Sequence, residues 1–149
     1  SKDYPCFMVA FLQIVCFAGI YMKLGDLMSG EYGFDEISIS APTKVAEIKD
    51  GGIFEYTITP EQFGLPLAEK EEVVGGSPEE NALITQGILA GTIRDAKRNI
   101  VLLNACCALY VVGQAGSIGD GVALAAEMID SGAALAKLEE LKQFTNALA

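Results

Sequence analysis

Lys44-Val-Ala-Glu-Ile-Lys-Asp-Gly-Gly-Ile-Phe-Glu-Tyr-Thr-Ile58 decides the fold class. Ala46 and Ile48 alternate with polar residues along its first arm. Phe54, Tyr56 and Ile58 do so along the second, with Glu55 and Thr57 between them. Such alternation marks a strand with one wet face. Asp50-Gly51 stands between the arms, and glycine reaches the positive φ that a tight hairpin turn requires. The stretch predicts an antiparallel hairpin.

Downstream the period changes to that of helices. Thr59-Pro60-Glu61-Gln62 predicts a capped helical turn, with Pro60 at the first helical position and Gln62 reaching back; Gly64 stops it. Leu65 to Gly76 is an acidic connection with Glu69, Glu71 and Glu72 on a solvated face. Ser77-Pro-Glu-Glu80 repeats the capping chemistry and opens a helix that stops at Gly91. Asp95 opens a second helix, running to Gly113 and apolar nearly all round, hence buried on most sides. Ser117 to Asp120 caps a third, ending at Gly132. Ala133 to about Leu148 is a fourth and amphipathic one, with Leu135, Leu138, Leu141 and Phe144 three apart.

Upstream, Ile37 to Ser40 alternates as a half-buried strand does, and Glu31 to Glu36 reads as a loop bracketed by Gly30 and Gly33. Leu24 to Ser29 predicts a short strand. Pro5 to Met22 is nearly all apolar, with Phe7, Phe11, Ile14, Ala18 and Tyr21 at helical spacing. We read residues 1–24 as a buried helical segment. A membrane span is the alternative, its length at the low edge for one, and the basic leader of a signal peptide is missing. No internal repeat or Ser/Pro/Gly-rich linker divides the chain. The expected architecture is α/β, with sheet and hairpin packed against C-terminal helices.

At 149 residues, with 51% hydrophobic and 20% charged, the chain suits one domain and excludes a disordered tail. Its net charge of −10 argues against nucleic-acid binding. It has no histidine, which removes Ser-His-Asp and Cys-His nucleophiles and histidine zinc sites. The four cysteines, Cys6, Cys16, Cys106 and Cys107, have no Cys-x-x-Cys spacing. They read as reduced thiols in a cytoplasmic protein.

The most suggestive chemical group is Asp35-Glu36, adjacent carboxylates between a glycine loop and the Ile37 segment. Mg²⁺ takes one or two carboxylates and completes its shell with water and phosphate oxygens. By spacing alone a solvated loop is the simpler reading. Arg94, Lys97 and Arg98 are the one dense group of cations, and helix capping with local ion pairing explains them. Asn81 and Asn104 fall inside helices, where each is expected to satisfy irregular backbone nearby. Asp120, Glu127 and Asp130 read as a solvated face. No phosphate-loop pattern occurs.

Several motifs occur together in one order: Gly33-Phe-Asp-Glu-Ile-Ser38, Pro42-Thr43, Tyr56-Thr-Ile-Thr-Pro60, Phe63-Gly-Leu65, Gly75-Gly-Ser-Pro-Glu-Glu-Asn-Ala82, Leu102-Leu-Asn-Ala105 with Ala108-Leu-Tyr110, and Glu127-Met-Ile-Asp-Ser-Gly132. Together they resemble the C-terminal part of anthranilate phosphoribosyltransferases, over roughly Gly30 to Phe144. The resemblance implies that residues 25–149 are the C-terminal part of a catalytic α/β domain shared with pyrimidine nucleoside phosphorylases. It implies transfer of phosphoribosyl from phosphoribosyl pyrophosphate to anthranilate, with release of pyrophosphate, in tryptophan biosynthesis. It implies Mg²⁺ held by Asp35 and Glu36, in a cytoplasmic enzyme. The family's glycine-rich pyrophosphate loop, its anthranilate-holding residues and its dimer-forming N-terminal helical domain have no counterpart in these 149 residues. No catalytic residue is therefore assigned, and the chain alone is expected to bind Mg²⁺ weakly and turn over little or nothing. Residues 1–24 do not match the family pattern, and an altered reading frame, a truncated gene or a divergent segment each accounts for that. Ala41 stands where glycine is common in the family. The competing readings are another phosphoribosyltransferase or nucleoside phosphorylase of the same fold, and a non-catalytic binding module.

Overall fold

Asp50 at φ 51° and Gly51 at φ 77° form a two-residue turn with both central residues left-handed, the geometry that matches strand twist. It joins β2 (Thr43–Lys49) to β3 (Gly52–Ile58), antiparallel, with Lys49 opposite Gly52 and Thr43 opposite Ile58. A short strand, β1 (Ile20–Tyr21), pairs antiparallel on the other edge of β2, giving the order β1-β2-β3. This computed structural model describes residues 20–21 and 36–147. The expected strand at Leu24–Ser29, the carboxylate Asp35 and most of the 1–24 segment lie outside the described residues. Of that segment, which spacing assigns to a helix, the two described residues are strand.

The hairpin's inward face is that of Thr43, Val45, Tyr56 and Ile58; Thr43, Val45 and Ile58 are buried. Ala46 and Ile48, prominent in the sequence pattern, lie on the opposite face, and Ile48 is exposed. Val45 is opposite Tyr56, so the register sets the core face by that pair.

After β3 comes a 3-10 turn, Pro60–Phe63. The Gln62 side chain accepts from Thr59 N–H at 3.2 Å, and Gly64 at φ 73° closes the turn. The acidic connection contains one helical turn, α1 (Lys70–Val73), which the sequence does not announce. Four longer helices follow: α2 (Pro78–Leu89), α3 (Ala96–Val111), α4 (Ile118–Asp130) and α5 (Ala133–Asn146). Their starts are as expected. Ser77 Oγ accepts from Glu80 N–H, an Asp95 carboxylate oxygen from Lys97 N–H, and Ser117 Oγ from Asp120 N–H.

The core is built around α3, whose Ile100, Leu102, Leu103, Cys106, Cys107 and Ala108 are buried with Ile37, Ile39, Val45 and Ile129. Gly121 of α4 lies against α3 so closely that a Cβ there would meet Cys106 C=O at 2.6 Å. Only a residue without a side chain permits that crossing. On α5, Leu135 and Leu138 pack on the core, whereas Leu141 and Phe144 are exposed. Among the described residues, no helix is long and apolar enough to cross a membrane.

Candidate functional site

The segment that follows Asp35-Glu36 is not the strand its alternation predicts. Ile37 to Ser40 is irregular, and Ser38 is buried along with Ile37 and Ile39. Buried backbone polar groups must still find partners. Here side chains supply most of them. Asn104 Oδ1 accepts from Ile37 N–H at 3.0 Å, and Asn104 Nδ2 donates to Ile37 C=O at 3.0 Å and to Ile100 C=O at 2.9 Å. Thr43 Oγ1 accepts from Ser38 N–H at 3.1 Å, Ser38 Oγ from Ser40 N–H at 3.0 Å, and Ile39 C=O from Ala68 N–H at 3.2 Å. The half-buried Glu36 is thus followed by a backbone tied to α3 and to the start of β2.

Asn104 does what its sequence position leads one to expect: it satisfies irregular backbone. Asn81 does the same at the start of α2, accepting from Gly76 N–H at 2.9 Å and donating to Gly76 C=O at 3.1 Å. In the sequence Thr43 and Ser38 stand only as members of motifs, with no structural role assigned to either. Pro42-Thr43, directly ahead of the hairpin, was the available signal, since a buried hydroxyl needs a partner. Beside Ser38, the Ser40 Oγ atom is buried and lacks a hydrogen-bond partner among the described residues. It borders a cavity of about 200 Å³ with Leu67, Ala68, Glu69 and Lys70.

The cation group behaves as an ion-pair cluster. Arg94 and Arg98 both reach Asp130, at 3.1 Å each, and Lys97 Nζ donates to Glu72 C=O. Asp130 is therefore not merely part of a solvated face: it bridges α4 to the start of α3. Asp120, in the first turn of its helix, accepts from the capping Ser117 Oγ at 2.8 Å. A second polar cluster joins the hairpin to α3. Glu47 accepts from Tyr110 Oη at 2.7 Å and from Tyr56 Oη at 3.1 Å, and Lys49 Nζ donates to Tyr110 Oη at 3.3 Å. Burial first, and then the Glu47 carboxylate, push the Tyr56 phenol well above its ordinary value. Cys106 and Cys107 are buried free thiols, as expected of small apolar residues. The neighbouring Cys107 thiol and burial hold Cys106 strongly toward the protonated form. Among the described residues, no group of three or more His, Cys, Asp and Glu could hold a metal ion.

A sheet with a hairpin, a helical layer and a carboxylate-bearing loop tied to α3 define an α/β domain. The chain matches the glycosyl transferase family, a/b domain, over residues 16–135, and it belongs to that family. The match begins within residues 1–24 and takes in β1. The chain is similar to an anthranilate phosphoribosyltransferase of Methanobrevibacter smithii, 52% identical over 118 residues, 79% of this chain and 35% of that protein. A Methanococcoides burtonii protein of the same name is 53% identical over 114 residues, covering 76% of this chain and 32% of its own. Among solved structures, the Thermus thermophilus anthranilate phosphoribosyltransferase superposes with a TM-score of 0.67 at 36% identity, covering 74% of this chain and 32% of that one. The Saccharomyces cerevisiae enzyme in complex with PRPP and Mg superposes with a TM-score of 0.65 at 28% identity, with the same coverage. The chain spans about a third of the length of the curated relatives it matches.

Proposed function

We propose that this chain forms the magnesium-binding part of the catalytic domain of an anthranilate phosphoribosyltransferase, in residues 25–149. Asp35 and Glu36 are the carboxylates that hold Mg²⁺ against the pyrophosphate of phosphoribosyl pyrophosphate. The observation that carries the reading is the tethered backbone directly after Glu36, bonded through Asn104 and Thr43. Two adjacent carboxylates repel each other, and a firm backbone lowers the cost of presenting both to one ion. The charge of −10 supports the same reading, because a strongly acidic chain meets an anionic substrate best through a cation. When bound, Mg²⁺ neutralises the charge that builds on departing pyrophosphate. The chain's own part is to hold the two carboxylates in place. Attack by the anthranilate amine and the loss of its proton are assigned to groups outside these residues. On this reading the protein is cytoplasmic and works as a homodimer joined through the family's N-terminal helical domain.

The test replaces the matched third of the Methanobrevibacter smithii enzyme with the matching residues of this chain and measures phosphoribosyl transfer to anthranilate. The graft is expected to be active, and its Asp35→Asn and Glu36→Gln forms to lose activity in a way that raised Mg²⁺ partly restores. A folded, active graft that keeps full activity in both substituted forms overturns the assignment of the metal site. A folded graft without activity overturns the assigned reaction.

A further inference from the structure

We propose that Asn104 is a positioning residue for the Glu36 carboxylate, acting through the peptide groups of Ile37. The inference rests on the metal reading above. One side chain holds both backbone polar groups of a residue 67 positions away: Oδ1 takes the Ile37 N–H at 3.0 Å and Nδ2 the Ile37 C=O at 3.0 Å. The second Nδ2 hydrogen goes to Ile100 C=O at 2.9 Å, one turn earlier on the same helix. That bond fixes the plane of the amide. Its orientation is determined as well. Reversal would set an NH₂ group against an N–H and an oxygen against two carbonyls. Among side chains of this length, only an amide both accepts and donates in this way. A carboxylate cannot donate, and an aliphatic group can do neither.

Asparagine is a poor helix former, and Asn104 stands in the middle of α3. The helix that carries it is held by six buried residues. Leu103 is fully buried beside it, and the Gly121 crossing fixes the next turn. Ile37 is anchored by its own side chain too, at 1% exposure. The carboxylate of Glu36 is therefore one residue from a point that is fixed in both backbone and side chain. Asn104 also borders an apolar cavity of about 330 Å³, with Ile100, Ala108, Met128 and Ile129. Shortening residue 104 adds to this space without a clash, so the Ile37 peptide is freed rather than pushed. Groups that orient metal ligands typically contribute about 10–100-fold in metal affinity.

Mn²⁺ serves as the probe, on the ¹⁵N-labelled full chain, with paramagnetic broadening of the amide signals flanking Glu36 as the readout. Asn104→Ala is expected to raise the Mn²⁺ concentration for half-broadening about tenfold. Ile129→Val, which weakens the same core away from Ile37, should leave it unchanged. Broadening of Asn104→Ala at the wild-type concentration overturns the proposal while the metal reading stands. Wild-type signals that Mn²⁺ does not broaden, or that broaden equally in Glu36→Gln, overturn the metal reading and this inference with it. A second measurement needs no variant. The Ile37 amide of the wild-type chain should exchange with solvent as slowly as amides in α3. Exchange at the rate of an exposed loop amide overturns the clamp.

Discussion

The hairpin and the Ile37–Ser40 segment look alike in sequence and are held in opposite ways. Both alternate apolar and polar residues. In β2 and β3 the backbone pairs with its neighbouring strand, closed by Asp50 and Gly51. In Ile37–Ser40 the backbone groups go to Asn104, Thr43 and Ser38 side chains and to the Ala68 amide. Alternation thus reports which side chains are buried, not what the backbone bonds to. The difference also suits the two regions to different work. A ladder repeats one geometry, whereas a backbone held by individual side chains can hold a shape a ladder would forbid, and that shape adjoins the carboxylates.

Removing the support common to both regions should have the largest effect. Leu103 is fully buried beside Asn104, within the core that holds Ile37, Ile39 and Val45. Leu103→Ala is expected to cost about 2–5 kcal/mol. Far-UV circular dichroism in urea should show one transition at a lower midpoint, with hairpin and segment lost together. Two separate transitions would make them independent units. Thr43→Val divides the regions. The shape of residue 43 and its pairing with Ile58 remain, but the buried Ser38 N–H loses its acceptor. The expected cost is about 1–3 kcal/mol. Amide shifts should move at Ser38 and its neighbours and stay in place along β3. Shifts spread evenly along the hairpin would show that the two regions are not separately held.

How much was legible follows the same division. Features governed by neighbours in sequence were readable: the Asp50-Gly51 turn, and the Ser77, Asp95 and Ser117 caps. So was Asn104 as a residue that satisfies irregular backbone, because a polar side chain on an apolar helix needs a partner. Its partner was not readable, since 67 positions separate it from Ile37. Nor was the Asp130 bridge to Arg94 and Arg98, which depends on how α4 crosses α3. The Ala46 and Ile48 pattern misled because both strand faces carry apolar residues, and only the register distinguishes them. The family motif pointed to Asp35 and Glu36 more directly than the residues alone could.

Alkali tests the buried groups of the hairpin and of α3, the helix that supports both regions. The Cys106 thiol ordinarily loses its proton near 9.0; in the fold the Cys107 contact and burial raise that value strongly. A group whose folded value is raised contributes stability that is full below its unfolded value and is lost as pH climbs above it. Stability should therefore fall above about pH 9, with a slope approaching about 1.4 kcal/mol per pH unit for this one fully buried thiol. Tyr56, also raised, adds loss in the same direction above its ordinary 10.0. Urea midpoints measured from pH 7 to 11 check this. Cys106→Ala should remove the part that begins near pH 9, and Tyr56→Phe the part that begins a unit higher. Midpoints that hold level to pH 11 would show that neither proton is held by the fold.

The smallest effect is expected where the fold is most local. Gly51 has φ 77°, and a Cβ built there meets nothing within 4 Å. The cost of Gly51→Ala is then backbone strain alone, about 1 kcal/mol. Asp50 already shows that this turn tolerates one side chain at positive φ, at 51°. The substitution should lower the urea midpoint slightly and shift amides near the turn, while exchange at Ile37 relative to α3 stays unchanged. That last reading separates the regions most sharply, because Lys49 at the hairpin end contacts α3 through Tyr110. If strain at Gly51 sped Ile37 exchange more than exchange in α3, the Glu47–Tyr110 cluster would be coupling the turn to the clamp. Independence at Ile37 would leave α3 as the base on which both regions are separately mounted.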